Sequence, residues 1–165
     1  MAELVKSGNQ GGILSAELEE KYLTFILGAE EYGISILRVK EIIGMMPIRQ
    51  VPKTPAFLKG VINLRGKVIP IVDLRLKFGM EEMTATERTC IIVVEVCEQE
   101  ASVLTGIVVD SVSEVLNVRG SDIAETPDLG IRLNTDYVRG MAKTDKSVRV
   151  LLNIDRVVRD DAWTP

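Results

Sequence analysis

The chain has 165 residues, 46% of them hydrophobic and 27% charged, which supplies a buried core but not the length of a large multi-domain enzyme. Its formal net charge is -4, from 20 Lys+Arg against 24 Asp+Glu, so no net positive field gathers nucleic acid or anionic lipid. There is no histidine, which excludes Ser-His-Asp and Cys-His centres and removes the commonest metal ligand.

In chain order, residues 1–16 include Ser7-Gly8-Asn9-Gln10-Gly11-Gly12 and read as a flexible, core-poor leader. The N-terminus lacks a basic-then-apolar signal, and no apolar run approaches the roughly 18 residues that span a bilayer. The expectation is a cytoplasmic protein with no membrane insertion. From residue 20 onward, short Val- and Ile-rich segments dominate: 22–27, 33–37, 39–45, 60–63, 67–72, 89–96, 104–109, 112–118 and 148–154. Gly, Pro, Asp, Asn or charged turns bound them, the pattern of small barrels or a sandwich. Pro70 has no ladder amide, which predicts an edge or a bulge for its strand.

Helical signals are short. Residues 54–60 offer a capping Thr54, Pro55 at the first helical position and a terminating Gly60, which predicts about one turn. Residues 73–78 and 154–158 predict two further short helices. Cys90 and Cys97 fall on one strand, where seven residues span roughly 23 Å and odd spacing turns the sulfurs to opposite faces, so no disulfide is expected. Reduced cysteines agree with the cytoplasm.

Self-comparison shows an internal repeat. At an offset of 73, Gly33, Ile34, Val39 and Glu41 fall on Gly106, Ile107, Val112 and Glu114. At an offset of 80, Phe57-Leu-Lys-Gly60 falls on Tyr137-Val-Arg-Gly140, and Val68, Ile71, Val72 and Asp73 fall on Val148, Leu151, Leu152 and Asn153. A seven-residue insertion near residues 128–134 accounts for the change of offset. Two half-chains of one β-rich plan follow, each too small to bury enough surface alone. The expected organisation is a leader over 1–16 and one domain over 17–160, with repeat halves of approximately 20–85 and 86–158 and exchange of strands between them possible.

Two constellations invite a functional reading beside a structural one. Arg65-Gly66 sits at a hairpin tip, either as a solvated arginine beside a turn glycine or as a fork of donors presented on a stiff support. Val39 with Glu41, matched by Val112 with Glu114, could be core residues beside solvated carboxylates or the two sides of a groove for an amphipathic helix. Asp73, Asp110, Asp136, Asp145 and Asp155 are scattered over turns and strand ends and read as solvated, with no paired carboxylates for acid-base or metal chemistry. No phosphate-binding glycine loop occurs. Aromatics are 4%, without basic-aromatic interleaving, so a small-barrel nucleic-acid-binding module stands only as the alternative reading.

Taken together, Glu31-Tyr32-Gly33, Val39-Lys-Glu-Ile42, Val51-Pro52, Thr54-Pro55-Ala56-Phe57, Gly60-Val-Ile-Asn-Leu-Arg-Gly66, Ile69-Pro-Ile-Val-Asp-Leu74 and Gly106-Ile-Val-Val-Asp-Ser-Val-Ser-Glu-Val115 resemble the CheW chemotaxis coupling family. The resemblance runs from about residue 20 to 158. It implies an all-β fold of two intertwined SH3-like five-stranded barrels with a few short helices. It further implies a non-enzymatic adaptor, without cofactor or metal, that couples the cytoplasmic tips of methyl-accepting chemoreceptors to the regulatory domain of the histidine kinase CheA and helps build the receptor-kinase array. By the same resemblance Val39, Glu41, Arg65, Val112 and Val115 are the expected receptor-binding residues and Gly60 the kinase-binding position.

Overall fold

Strand formation follows the Val- and Ile-rich runs. The computed structural model describes residues 19–124, 135–143 and 147–159; the expected leader, the insertion at 128–134 and Asp145 lie outside them. In the first half are β1 (Glu19–Leu27), β2 (Glu30–Ser35), β3 (Val39–Gly44), β4 (Leu58–Leu64), β5 (Lys67–Asp73) and the short helix α1 (Leu74–Lys77). The second half has β6 (Cys90–Glu98), β7 (Ala101–Val109), β8 (Ser111–Arg119), β9 (Ile123–Ala124), β10 (Val138–Lys143), β11 (Val148–Leu152) and α2 (Ile154–Val158). Both helices begin where expected, after Asp73 and Asn153, which the offset of 80 equates.

The strands form two sheets, one ordered β8-β1-β2-β11-β10-β9 and the other β3-β6-β7-β5-β4, and each draws on both halves of the chain. Exchange occurs at two parallel pairings. β5 lies beside β7 with Ile71 opposite Gly106, and β11 lies beside β2 with Leu151 opposite Gly33. Ile71 and Leu151 are equated by the offset of 80, Gly106 and Gly33 by that of 73, so the two crossings are the same crossing made twice. Glycine leaves both approaches uncrowded: a Cβ on Gly106 would meet Ile71 Cδ1 at 2.6 Å, and one on Gly33 would meet Leu151 Cδ2 at 3.0 Å, so those side-chain ends would have to shift.

Each sheet closes on itself. A backbone bridge between Arg49 and Val61 ties the chain after β3 to β4, with N–H···O distances of 2.9 and 2.8 Å. Its counterpart is the two-residue β9, whose Ala124 pairs with Met141 of β10. The six-stranded sheet is therefore five strands plus the bridge that shuts them. Ile62, Ile69, Ile71, Ile91 and Val93 fill the five-stranded barrel, and Tyr22, Val118, Ala142 and Leu151 fill the other. Between the barrels lies the largest core, to which both sheets contribute, including Phe25, Ile34, Ile92 and Ile107. Full burial of each such side chain contributes roughly 2 kcal/mol.

Two expectations are corrected and a third is narrowed. Residues 54–60 do not form a helical turn: β4 already starts at Leu58, and Gly60 lies at a bulge within it. Gly60 has φ +142° and a Cβ there would overlap the Arg49 carbonyl, so this glycine permits the barrel-closing bridge rather than ending a helix. Pro70 is not on an edge strand, since β5 runs between β4 and β7, but the other expected setting holds: the bulge in β4 lies opposite Val72 and Ile71, next to Pro70. The N–H and C=O of its partner Val61 are spent on Arg49, and the β7 ladder begins one residue later at Ile71, so no amide is missed at Pro70.

Nor are the carboxylates all solvated. Asp73 is buried and caps α1, accepting from the Arg75 and Leu76 amides. Asp110, at the β7–β8 junction, accepts from Arg75 Nε and Nη2 of α1 at 2.8 and 2.7 Å and from the Gly28 amide at 2.8 Å. The other crossing repeats this lock with the charges exchanged. Asp155 of α2, equivalent to Arg75, accepts from Arg38 Nη1 and Nη2 at the β2–β3 junction at 2.9 and 2.8 Å, and from the Cys97 amide at 2.9 Å. Each half thus clamps its helix to the other half through a forked arginine–carboxylate pair. Cys90 and Cys97 are unbridged, half-buried and exposed respectively, and burial pushes the Cys90 thiol up.

Candidate functional site

The β4–β5 hairpin turns at Arg65-Gly66, where both residues have positive φ, 51° and 88°, as a two-residue turn of this twist demands. The Gly66 amide donates to Asn63 Oδ1 at 2.8 Å and stiffens the tip. Opposite stands β3, an edge strand with a bulge between Val39 and Glu41. The bulge gives Lys40 and Glu41 their separate directions. Lys40 bonds Glu95 at 3.1 Å, which holds the Glu95 carboxyl below its usual range. Glu41 accepts from Arg65 Nη2.

Two of the expected residues, 24 positions apart and on different strands, are therefore joined by an ion pair. Arg65 keeps 70% of its side chain exposed and Glu41 33%. Beneath the pair is a cavity of about 520 Å³ at the end of the five-stranded barrel, with Leu64, Ile69, Val93 and Leu104 as its apolar floor.

Val39 starts β3, half-buried against the core between the barrels. Val112 does the same on β8, the edge strand of the other sheet, opposite Phe25. Val115, opposite Leu23, stands 52% exposed. The offset of 73 equates it with Ile42, 46% exposed on β3, a residue the sequence reading did not single out although the repeat alignment contains it. The five expected receptor-binding residues thus occupy the edge strand of each sheet and one hairpin tip. Gly60 lies apart from them, buried at the base of that hairpin against Arg49.

Glu114, the counterpart of Glu41, has a different setting. Arg149 of β11 reaches it through Nη2 at 3.3 Å and reaches Glu31 of β2 through Nε at 3.2 Å. The Thr24 hydroxyl donates to the Glu114 carbonyl at 3.0 Å and accepts from its amide at 3.1 Å. Among the described residues no group of three or more Asp, Glu or Cys could hold a metal ion, and no helix is long and apolar enough to cross a membrane.

Comparison with known proteins gives one answer. A family model described as CheW-like domain matches residues 21–162. The chain is 37% identical over 142 residues to the chemotaxis protein CheW of Klebsiella aerogenes, covering 86% of this chain and 83% of that protein. With the probable chemotaxis protein CheW of Rhizobium etli it shares 36% identity over 155 residues, 94% of this chain and 93% of the relative. Among solved structures, the scaffolding protein TtCheW from Thermoanaerobacter tengcongensis superimposes with a TM-score of 0.78 at 32% identity, over 88% of this chain and 97% of that one. The mainly β architecture of two closed sheets and two short helices agrees with the pair of SH3-like barrels expected from the sequence.

Proposed function

The chain belongs to the CheW family of chemotaxis coupling proteins, and on that premise we propose that it is a non-enzymatic cytoplasmic adaptor linking methyl-accepting chemoreceptors to the regulatory domain of the histidine kinase CheA. Residues 17–160 act as one unit in this reading, with halves of about 20–85 and 86–158 exchanging strands. The receptor tip meets Val39, Glu41, Arg65, Val112 and Val115. Kinase association depends on Gly60 through the Arg49 bridge, because a buried glycine offers a partner nothing of its own.

The observation that carries the reading is the Glu41–Arg65 pair, which gathers two of the transferred positions at one exposed barrel end while the cores behind them stay apolar. An exposed ion pair of this kind adds little stability, which leaves recognition as its use. Separate weak contacts to receptor and kinase add up by multivalency once both are engaged. The nucleic-acid-binding alternative gains nothing from the relatives, which are chemotaxis proteins. Pulldown of the chain with a receptor cytoplasmic fragment and with the CheA regulatory domain tests the proposal. Binding to both is expected, and binding to neither would sink it.

A further inference from the structure

The repeat supplies an internal control for the cavity under Arg65. Each of the five strands of that barrel lines it: β3 with Lys40 and Glu41, β6 with Val93, β7 with Leu104, β5 with Lys67 and Ile69, β4 with Leu64. It is therefore the open mouth of the barrel and not a surface crease. The same level of the six-stranded barrel carries Glu114 where this one has Glu41, Arg149 where this one has Ile69, and Glu31 where this one has Leu104. Thr24, which bonds the Glu114 backbone, stands at the register of Val93.

One mouth is thus spanned by an arginine held between two carboxylates, its side chain only 14% exposed. The other has the carboxylate at position 41 but apolar side chains in the remaining places. Its arginine comes from outside, on the hairpin tip, and leaves the volume beneath it unfilled.

We propose that the mouth of the five-stranded barrel receives a bulky apolar side chain from an acidic segment of a partner polypeptide, which occupies the place that the Arg149 stem fills in the other barrel. The floor of Leu64, Ile69, Val93 and Leu104 sets the apolar character of the inserted group. The rim sets the charge of its surroundings: Lys40, Arg65 and Lys67 outnumber Glu41 and Glu95, and the two carboxylates are already engaged by Arg65 and Lys40. Lys67 is exposed and forms no ion pair or side-chain hydrogen bond among the described residues. A carboxylate beside the inserted side chain finds Lys67 and the outer face of Arg65 within the same rim. The inference rests on the reading that this face meets the receptor, and it adds what that face recognises.

The test uses the full chain and a receptor cytoplasmic fragment in titration calorimetry, with CheA regulatory-domain binding and thermal melting as controls. Leu104→Trp fills the mouth from a half-buried position of its floor. It should weaken receptor-fragment binding by at least about tenfold, the loss of one anchoring contact, with kinase-domain binding and the cooperative melt preserved. Lys67→Glu, on the exposed rim, should weaken the same binding by about threefold and reduce its dependence on salt. It keeps the proposal testable if Leu104→Trp fails to fold. Wild-type affinity in either folded variant, or loss of kinase binding in place of receptor binding, overturns the assignment of the mouth. Failure of the unaltered chain to bind the receptor fragment overturns the receptor reading itself, a separate outcome.

Discussion

The two barrels share a plan and finish the same end differently. In one, Arg149 lies inside the mouth between Glu31 and Glu114; in the other, Ile69 and Leu104 take the inner places and Arg65 reaches Glu41 from the hairpin tip. An arginine 14% exposed is part of the architecture, whereas one 70% exposed is presented. Duplication has left one end spanned by an internal arginine and the other open beneath an external one, while the two reciprocal clamps tie each helix to the other half of the chain.

The largest effect should come from the clamps. Arg75 and Asp110 are both 15% exposed, so Arg75→Ala leaves a largely desolvated carboxylate with only the Gly28 amide and should cost about 3 kcal/mol in urea unfolding. The mirror pair, Arg38 with Asp155, is 31% and 26% exposed; solvent screening should hold the cost of Arg38→Ala to about 1 kcal/mol. Equal losses would break the view that burial separates the two clamps. Acid sharpens the point. Hydrogen bonds from Arg75 hold the Asp110 carboxyl below its usual range, so its contribution is full above the unfolded carboxylate pKa and disappears as pH falls through the lower folded value. Asp73 works in the opposite direction, since burial raises its carboxyl. In Asp110→Asn that part of the acid-induced loss of stability should be absent.

Next in size is the sealed mouth. Arg149→Ile copies the counterpart Ile69 and strands Glu31, one of whose oxygens is already buried without a hydrogen bond. It should cost about 2 kcal/mol. Adding Glu31→Leu, the counterpart of Leu104, should recover stability to within about 1 kcal/mol of the parent, because apolar residues replace a buried pair with little net loss. A double variant no better than the single one would show that the two mouths are not interchangeable designs. The smallest stability effect belongs to the presented arginine: Arg65→Ala should shift unfolding by less than about 0.5 kcal/mol, yet lower receptor-dependent kinase activation.

Much of this was legible from local pattern. Val- and Ile-rich runs located most strands, and the offsets of 73 and 80 equated Gly33 with Gly106 and Ile71 with Leu151, although only the structure shows that Ile71 faces Gly106 and Leu151 faces Gly33. β10 was not among the expected strands, because Val138-Arg-Gly-Met-Ala-Lys143 mixes glycine and charge through a short run. Gly60 was misread because a helix-ending glycine and one admitting a neighbouring backbone look alike until Arg49 is in view. The clamps were invisible, since Arg75 and Asp110 are 35 residues apart, Arg38 and Asp155 117, and no spacing rule joins them. At the candidate site the residues were legible and their pairing was not: Arg65 and Glu41 meet only after β3 and the β4–β5 hairpin close one barrel.

The central claim is that this chain is the bridge between receptor and kinase. Sedimentation of receptor-containing membranes with CheA, with and without the chain, tests it most directly. The account predicts that CheA sediments with the membranes to a substantially greater extent when the chain is present, and less so with Arg65→Ala. Equal recovery of CheA in the presence and absence of the chain would contradict it.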